Sequence, residues 1–456
     1  MKVLLRGLGV SCSRIFISFA VLVYPESGVS PEKGEGTIWK SRAERIDEKE
    51  REEIMHKAHW KKTFISFYIG QAFSLIGSSA AQFAIIWWIT VQTGSAMSLS
   101  IAALAGFLPQ ALLGPFAGVW ADRLKRKTVM MAADGFIALC SAGLALAFWV
   151  NSTPPVWFVY AVLFLRALGS VFHTPAMQAA IPMLVPQNQL MKAGGWGQFI
   201  QSGCFMAGPV LGAALMAVMP LAGVMLLDVA GAVTAVAILA FIRLPELTEE
   251  EKSPRTHVLG EMKAGAKVLL ANHPLVAVTY SVLLCTLIYV PLGSLYPLMT
   301  SEHFQGTAGQ ASVVEFVFAA GMLVSALIIG AFGAIKRKFF TISMSLVLLG
   351  TVFGLSGLLP QGAFWWFVVL CFWMGFVGNF FNVPYMTYIQ ESIPPESLGR
   401  VISLLTSAMS FATPLGLFVA GPVAEKIGIA AWFFWSGLAM VAIGMICWLT
   451  TRKFKI

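Results

Sequence analysis

Four acidic or strongly basic side chains stand inside long apolar runs of this sequence: Asp134, Arg166, Asp228 and Glu315. At the centre of a bilayer such a group costs ~2.5–3.5 kcal/mol on insertion scales, so it pairs or faces a wet cavity, and by default it marks an ion or proton path. Carboxyl groups suit proton carriage because burial favours their neutral form and a neighbouring cation their charged form. A site whose surroundings alternate can therefore load a proton on one side and release it on the other. Glu315 lies about five residues inside its run, roughly 7–8 Å deep at 1.5 Å per residue. Arg166 is the cation placed to oppose these acids; a purely structural ion pair is the competing reading.

Neutral groups in the same runs have two uses. Gln71, Gln82, Asn379 and Asn382 can hydrogen-bond a bound solute or a neighbouring helix. Trp87, Tyr289, Trp373 and Tyr385 can hold a bulky amphipathic cation by stacking and cation–π contact, or simply pack. The six cysteines are scattered singly, without metal-ligand spacing, and read as small buried hydrophobes. No GxxxxGK[ST] phosphate loop and no catalytic cluster occurs. The expectation is a protein that is not an enzyme, needs no metal or cofactor, and draws on an ion gradient.

The elements that must position these groups are membrane helices. Hydrophobic residues make up 57% of the 456 positions and charged residues 12%, against roughly 25% charged in a soluble domain. Mean hydropathy is +0.77. The apolar runs approach the ~20 residues that cross a bilayer as helix, and the ~10-residue alternating segments of a membrane barrel are missing. The pattern predicts an all-α integral membrane protein with twelve spans, near 64–91, 98–120, 128–150, 156–178, 196–218, 221–243, 274–299, 311–334, 339–359, 363–388, 400–420 and 431–450.

Charge placement orients these spans. Residues 1–55 carry nine Lys/Arg and nine Asp/Glu, so the net +9 belongs to the remainder, with 22 basic and 13 acidic residues. Twenty of those 22 fall in alternate connections and at the C-terminus; Lys426 is on the other side and Arg166 within a span. The excess reads as a topology signal and not as nucleic-acid binding. It predicts both termini and the long central connection on the cytoplasmic side.

Two halves resemble one another. Lys125-Arg126-Lys127 recurs as Lys336-Arg337-Lys338, VPQNQL at 185–190 as IPPESL at 393–398, and Arg243 as Arg452, all at offsets close to 210. The expected domains are six-helix bundles at 56–243 and 274–456, joined by a charged cytoplasmic linker, 244–273. Residues 1–55 do not fit this scheme. Residues 50–54 can be encoded by a purine-rich string like a bacterial ribosome-binding site, so native translation is expected to start at Met55.

Three motifs carry a resemblance. Span 2 runs into GPFAGVWADRLKRK at 114–127, which resembles the GxxxDRxGRK signature of the major facilitator superfamily. Gly118, Asp122, Arg123, Arg126 and Lys127 match, and Lys125 replaces the second glycine. Arg166 with Gly169 matches that superfamily's Arg-xx-Gly element in span 4. In span 5, Gly203, Gly208, Pro209 and Gly212 resemble the antiporter signature GxxxxGPxxGG, with Ala213 in place of the last glycine. From about residue 60 onward the chain resembles the macrolide-efflux branch, through GQAFSLIGSSAAQFAIIWW (70–88), TGSAMSLSIAALAGFLPQALLGP (93–115), RALGSVFHTPAMQAAIPMLVP (166–186) and LGRVISLLTSAMSFATPLGL (398–417).

The resemblance implies the major facilitator fold and proton-driven export of macrolide antibiotics across a bacterial cytoplasmic membrane. A siderophore or another amphipathic metabolite is the alternative cargo. The implied partners are a small-molecule drug, protons and the lipid bilayer, with the chain acting as a monomer. Residues 118–127 become a conformational switch between halves. Because spans 4 and 8 of the superfamily border the central cavity and spans 3 and 6 do not, Glu315 with Arg166 leads for proton coupling, ahead of Asp228 and Asp134.

Overall fold

A backbone in hydrocarbon must satisfy its own N–H and C=O groups, and a helix does so within one segment. The computed structural model describes residues 48–123, 125–186, 189–242, 244, 266–332 and 337–454, and their regular structure is helical throughout. Twelve of the described helices are long and apolar enough to cross a membrane. They are α1 (Glu48–Thr93), α2 (Ala96–Arg123), α3 (Arg126–Val150), α4 (Val156–Leu184), α5 (Leu190–Val218), α6 (Leu221–Phe241), α7 (His273–Ser294), α8 (Ala308–Phe332), α9 (Lys338–Gly357), α10 (Phe364–Ser392), α11 (Pro395–Ile427) and α12 (Ile429–Thr451). The chain divides into two compact units, Met1–His59 and Trp60–Ile456. Of the first, only residues 48–59 are described, as helix. The second contains all twelve apolar spans, beginning at Trp60. The expectation for residues 1–55 falls mostly outside the described residues, as does that for the linker from 245 to 265.

Local chemistry sets the helix ends. Gly94 (φ 56°) closes α1, and Gly428 (φ 85°) is the single residue between α11 and α12. Both adopt the left-handed region that glycine enters without steric cost. Asn272 caps α7, its side chain accepting from Leu275 N–H at 3.1 Å, with Pro274 in the first turn. The seventh run, expected to reach 299, ends at Ser294 and continues as a short helix, Tyr296–Leu298, and a π-helical turn, Met299–His303. Pro297 has no N–H with which to extend the ladder. The eleventh run, expected over 400–420, extends over Pro395–Ile427 and contains Pro414 and Pro422. Neighbouring helices in a bundle tolerate such prolines by re-satisfying the freed carbonyls.

Helices pack mainly within halves. In the first, α3 lies against α4 and α6, and α2 against α4; in the second, α9 lies against α10 and α12, α8 against α10, and α7 against α11 and α12. The halves meet through α2 on α11 and α5 on α8. One end of the bundle, here the basic face, holds the described residues Lys61, Lys62, Lys127, Lys267, Lys338 and Arg452. A clasp between the halves lies at the opposite face. Glu425 near the end of α11 accepts from Ser95 Oγ (3.0 Å) and from the backbone N–H of Met97 (3.1 Å) at the start of α2. Glu302 belongs to the same acidic patch, where burial and the Glu425 charge raise its carboxyl above the usual range. At the α5–α8 contact, Phe83, Trp87 and Ala213 pack with Ala311 of α8.

Candidate functional site

A cavity of about 450 Å³ lies where the halves face each other. Ser78 and Gln82 of α1, Phe107 and Gln110 of α2 and Arg166 of α4 line one side, and Ser294 of α7 and Glu315 of α8 the other. Glu315 and Arg166, the leading two of the four candidates for proton coupling, therefore share one chamber, although they come from different halves.

Arg166 also reaches away from the chamber. Its Nη1 bonds Asp228 Oδ2 and Ser141 Oγ. Asp228 is fully buried. Its Oδ1 accepts from Ser78 Oγ at 2.7 Å, and Ser141 Oγ stands 2.7 Å from Oδ2. Four helices thus converge on one ion pair: α1, α3, α4 and α6. Gly77 permits the approach of α1, since a Cβ there would sit 3.2 Å from Asp228 Cα. A buried pair with its remaining lone pairs satisfied is stable in place, and loss of one partner is costly.

Asp134 does not join that cluster. It is 2% exposed, accepts from Ser74 Oγ at 3.3 Å, and has His173 Nε2 3.4 Å from its Oδ1 without a hydrogen bond between them.

Two of the motif residues bond within the first half. Arg126 Nη1 donates to Ala179 O of α4 and contacts Met183 Sδ, while Lys127 Nζ donates to Ala240 O and Ile242 O at the end of α6 (2.7 and 2.9 Å). Cations at the carbonyl end of a helix complement its dipole. The side chains of Asp122 and Arg123 and the packing at Gly118 lie outside the described residues. In the antiporter motif, a Cβ at Gly208 would collide with Ser79, and one at Gly212 would meet Ala80 O at 2.7 Å, so both let α5 press against α1. Pro209 lies within α5, and Gly203 has open space where a Cβ would be.

Of the eight polar and aromatic candidates for binding a solute, Gln82 lines the cavity. Asn379 Nδ2 donates to Met322 O (2.6 Å) and Ser325 Oγ (2.9 Å), tying α10 to α8. Tyr385 shares a hydrogen bond with Thr279 Oγ1 (3.0 Å) and stacks on Phe381. Tyr289 packs edge-on against Phe353, and Trp87 is buried in its cluster with Phe83. Trp373 and Asn382 are exposed, Trp373 beside Phe376. Gln71 is 1% exposed on α1, its Oε1 without a partner. Sequence reasoning misses Ser78, Ser141, Gln110, Ser294 and His173. The available signal was spacing: Asp134 and Ser141 stand seven apart on α3, as do Arg166 and His173 on α4.

The profile of the Major Facilitator Superfamily matches residues 67–299 and 278–455. Macrolide efflux protein A of Streptococcus pyogenes is 41% identical over 390 residues, 85% of this chain and 96% of that protein. The protein of the same name from Enterococcus faecalis is 40% identical over 325 residues, 71% of this chain and 100% of the other. Multidrug efflux pump Tap of Mycolicibacterium fortuitum is 28% identical over 79% of this chain and 88% of its own. Among solved structures, the nucleoside transporter NupG superposes with a TM-score of 0.64 at 14% identity, covering 86% of this chain and 99% of NupG. A bacterial homologue of the iron transporter ferroportin in an inward-facing state gives a TM-score of 0.63 at 15% identity, covering 86% of this chain and 98% of that one.

Proposed function

Because the chain belongs to the Major Facilitator Superfamily, we propose that it exports macrolide antibiotics from a bacterial cell by alternating access, driven by protons. The observation that carries the cargo is 41% identity across 96% of a macrolide efflux protein. Its low charge content and twelve apolar helices fit a multi-pass membrane protein.

The basic face is read as cytoplasmic, with both termini on that side. The clasp of Glu425 on α2 then closes the outer side, and cargo enters the chamber from the cytoplasm or inner leaflet. Gln82 and Gln110 offer hydrogen bonds there, Phe107 an apolar face, and Glu315 a charge to meet a cationic amine. A carboxylate that pairs with the cationic cargo in one state can be protonated in the other, which releases cargo and loads the proton for return. Arg166 presents a guanidinium to the chamber, its charge balanced by the buried Asp228. Both sides of the chamber come from one chain, which supports a monomer as the working unit. The bundles 56–243 and 274–456 are the bodies that rock.

The test is efflux of radiolabelled erythromycin from cells lacking other pumps, beside chemically unrelated drugs. Erythromycin tolerance should rise alone, and its efflux should stop when a protonophore collapses the gradient. Export of unrelated drugs or of a siderophore with no effect on erythromycin would overturn the cargo. Efflux that survives the protonophore would overturn the coupling.

A further inference from the structure

The ion pair in the first half is one rung of a two-rung ladder. Helices α3 and α4 are consecutive and run antiparallel, so moving seven residues along each keeps the same facing positions. Ser141 meets Arg166 on the first rung. Two turns on, Asp134 meets His173, with Nε2 3.4 Å from Oδ1. That displacement is about 10 Å toward the basic face. Ser74 of α1 reaches the second rung as Ser78 reaches the first.

The rungs differ at their carboxylates. Both Asp228 oxygens are engaged, while Arg166 Nε on the same rung has no hydrogen-bond partner. On the second rung, Asp134 Oδ2 and His173 Nε2 have no hydrogen-bond partner, and Gln71 Oε1, one turn along α1 from Ser74, has none either. All three side chains are at least nine-tenths buried. A buried carboxylate and imidazole left short of partners change their balance markedly when one proton is added or removed. Imidazole is also the side chain that ordinarily changes charge between pH 5 and 8.

Depth puts the groups in series. Counted from the opposite face, Glu315 is about 10 Å along α8, Arg166 about 15 Å along α4, and His173 about 25 Å along α4. Few other charges face the pair. Asp228 of α6 and Arg166 belong to the first rung, and Arg126, toward the basic face, is bonded to Ala179 O of α4. Helix α2 carries no charged residue from Ala96 to Ala121, and α5 none from Ala193 to Val218.

We propose that His173 and Asp134 form a second proton station, between the Arg166–Asp228 pair and the basic face, through which protons leave the transporter. A proton arriving from the chamber side is held by the pair at His173 Nε2 or an Asp134 oxygen and departs to water at the basic face. The pair's charge changes by one, and nothing is oxidised or reduced. The station rests on the reading of this chain as proton-driven.

The full-length protein in liposomes tests it, with radiolabelled erythromycin as cargo and a pH dye inside. Cargo exchange at equal pH is compared with net transport under an imposed gradient, over basic-face pH from about 5 to about 8. His173→Gln and Asp134→Asn should exchange cargo within about twofold of the original rate, yet lose about tenfold or more of gradient-driven transport. What remains should no longer vary with basic-face pH. Variants that keep the original drive and pH profile overturn the station. So does joint loss of exchange, drive and melting temperature, which marks the pair as structural. Absence of proton movement in the unaltered protein refutes the proton-driven reading itself, and the station falls with it.

Discussion

Arg166 touches the chamber and Asp228 at once, so removing it should damage both folding and transport. Arg166→Ala leaves a buried carboxylate unpaired, and ~3–5 kcal/mol of stability should be lost, read as a lower melting temperature in detergent. Replacing both partners, Arg166→Leu with Asp228→Leu, should restore much of the melting temperature and none of the transport. Recovery of transport in the double variant would make the pair a structural device only. Glu315→Gln keeps size and hydrogen bonding but cannot titrate, so it should still exchange cargo while failing to concentrate it against an imposed gradient. Unchanged pH-driven efflux would move the proton to another acid. The charged groups Asp134, Arg166, Asp228 and Glu315 were legible in the sequence because a charge in an apolar run stands out by cost alone. Their hydroxyl partners were not, since serines are common in membrane helices and nothing in Ser141 itself says it faces Arg166. For Asn379 the sequence left both uses open, since an amide in a span suits cargo or a neighbour equally, and here it bonds α8.

At the scale of helices, the two glycines that press α5 onto α1 separate from the one that does not. Gly208→Ala forces a methyl into Ser79, and such overpacking typically costs ~1–3 kcal/mol. Efflux and melting temperature should both fall, and Ser79→Gly in the same chain should restore them. Gly203→Ala meets open space and should behave as the original in both assays. Equal damage from both alanines would mean that helix bending, not contact, explains the motif. All twelve helices were readable from runs of apolar residues, with most ends within a few residues. Two of the exceptions share a cause. A proline breaks the ladder at 297, where the next residues turn into a π-helical segment, yet leaves α11 intact at 414 and 422. Tertiary neighbours decide between these outcomes, and a single run does not contain them.

At the scale of the molecule, the twelve-helix architecture was legible because apolar runs recur along the chain, while the contacts between α2 and α11 were not. Glu425 was unremarkable as one acid beside Lys426 in a short connection, until α2 brought Ser95 and the Met97 N–H to it. Glu425→Gln weakens two hydrogen bonds to a charged acceptor in an exposed setting, so the closed state should lose about 0.5–1.5 kcal/mol, a two- to tenfold change in population. A cysteine at Ser294, in the chamber, should then react faster with an impermeant thiol reagent added from the clasp side; an unchanged rate would remove the clasp from the switch. The clasp also fixes the length of a lever. Helix α2 has 28 residues and is about 42 Å long, so each arm from its middle is ~20 Å. Tilted by about 20° as part of a rigid bundle, its two ends travel roughly 7 Å in opposite senses. In such a tilt, the stroke that would part Ser95 from Glu425 is the same one that would swing the far end of α2 inward at the basic face.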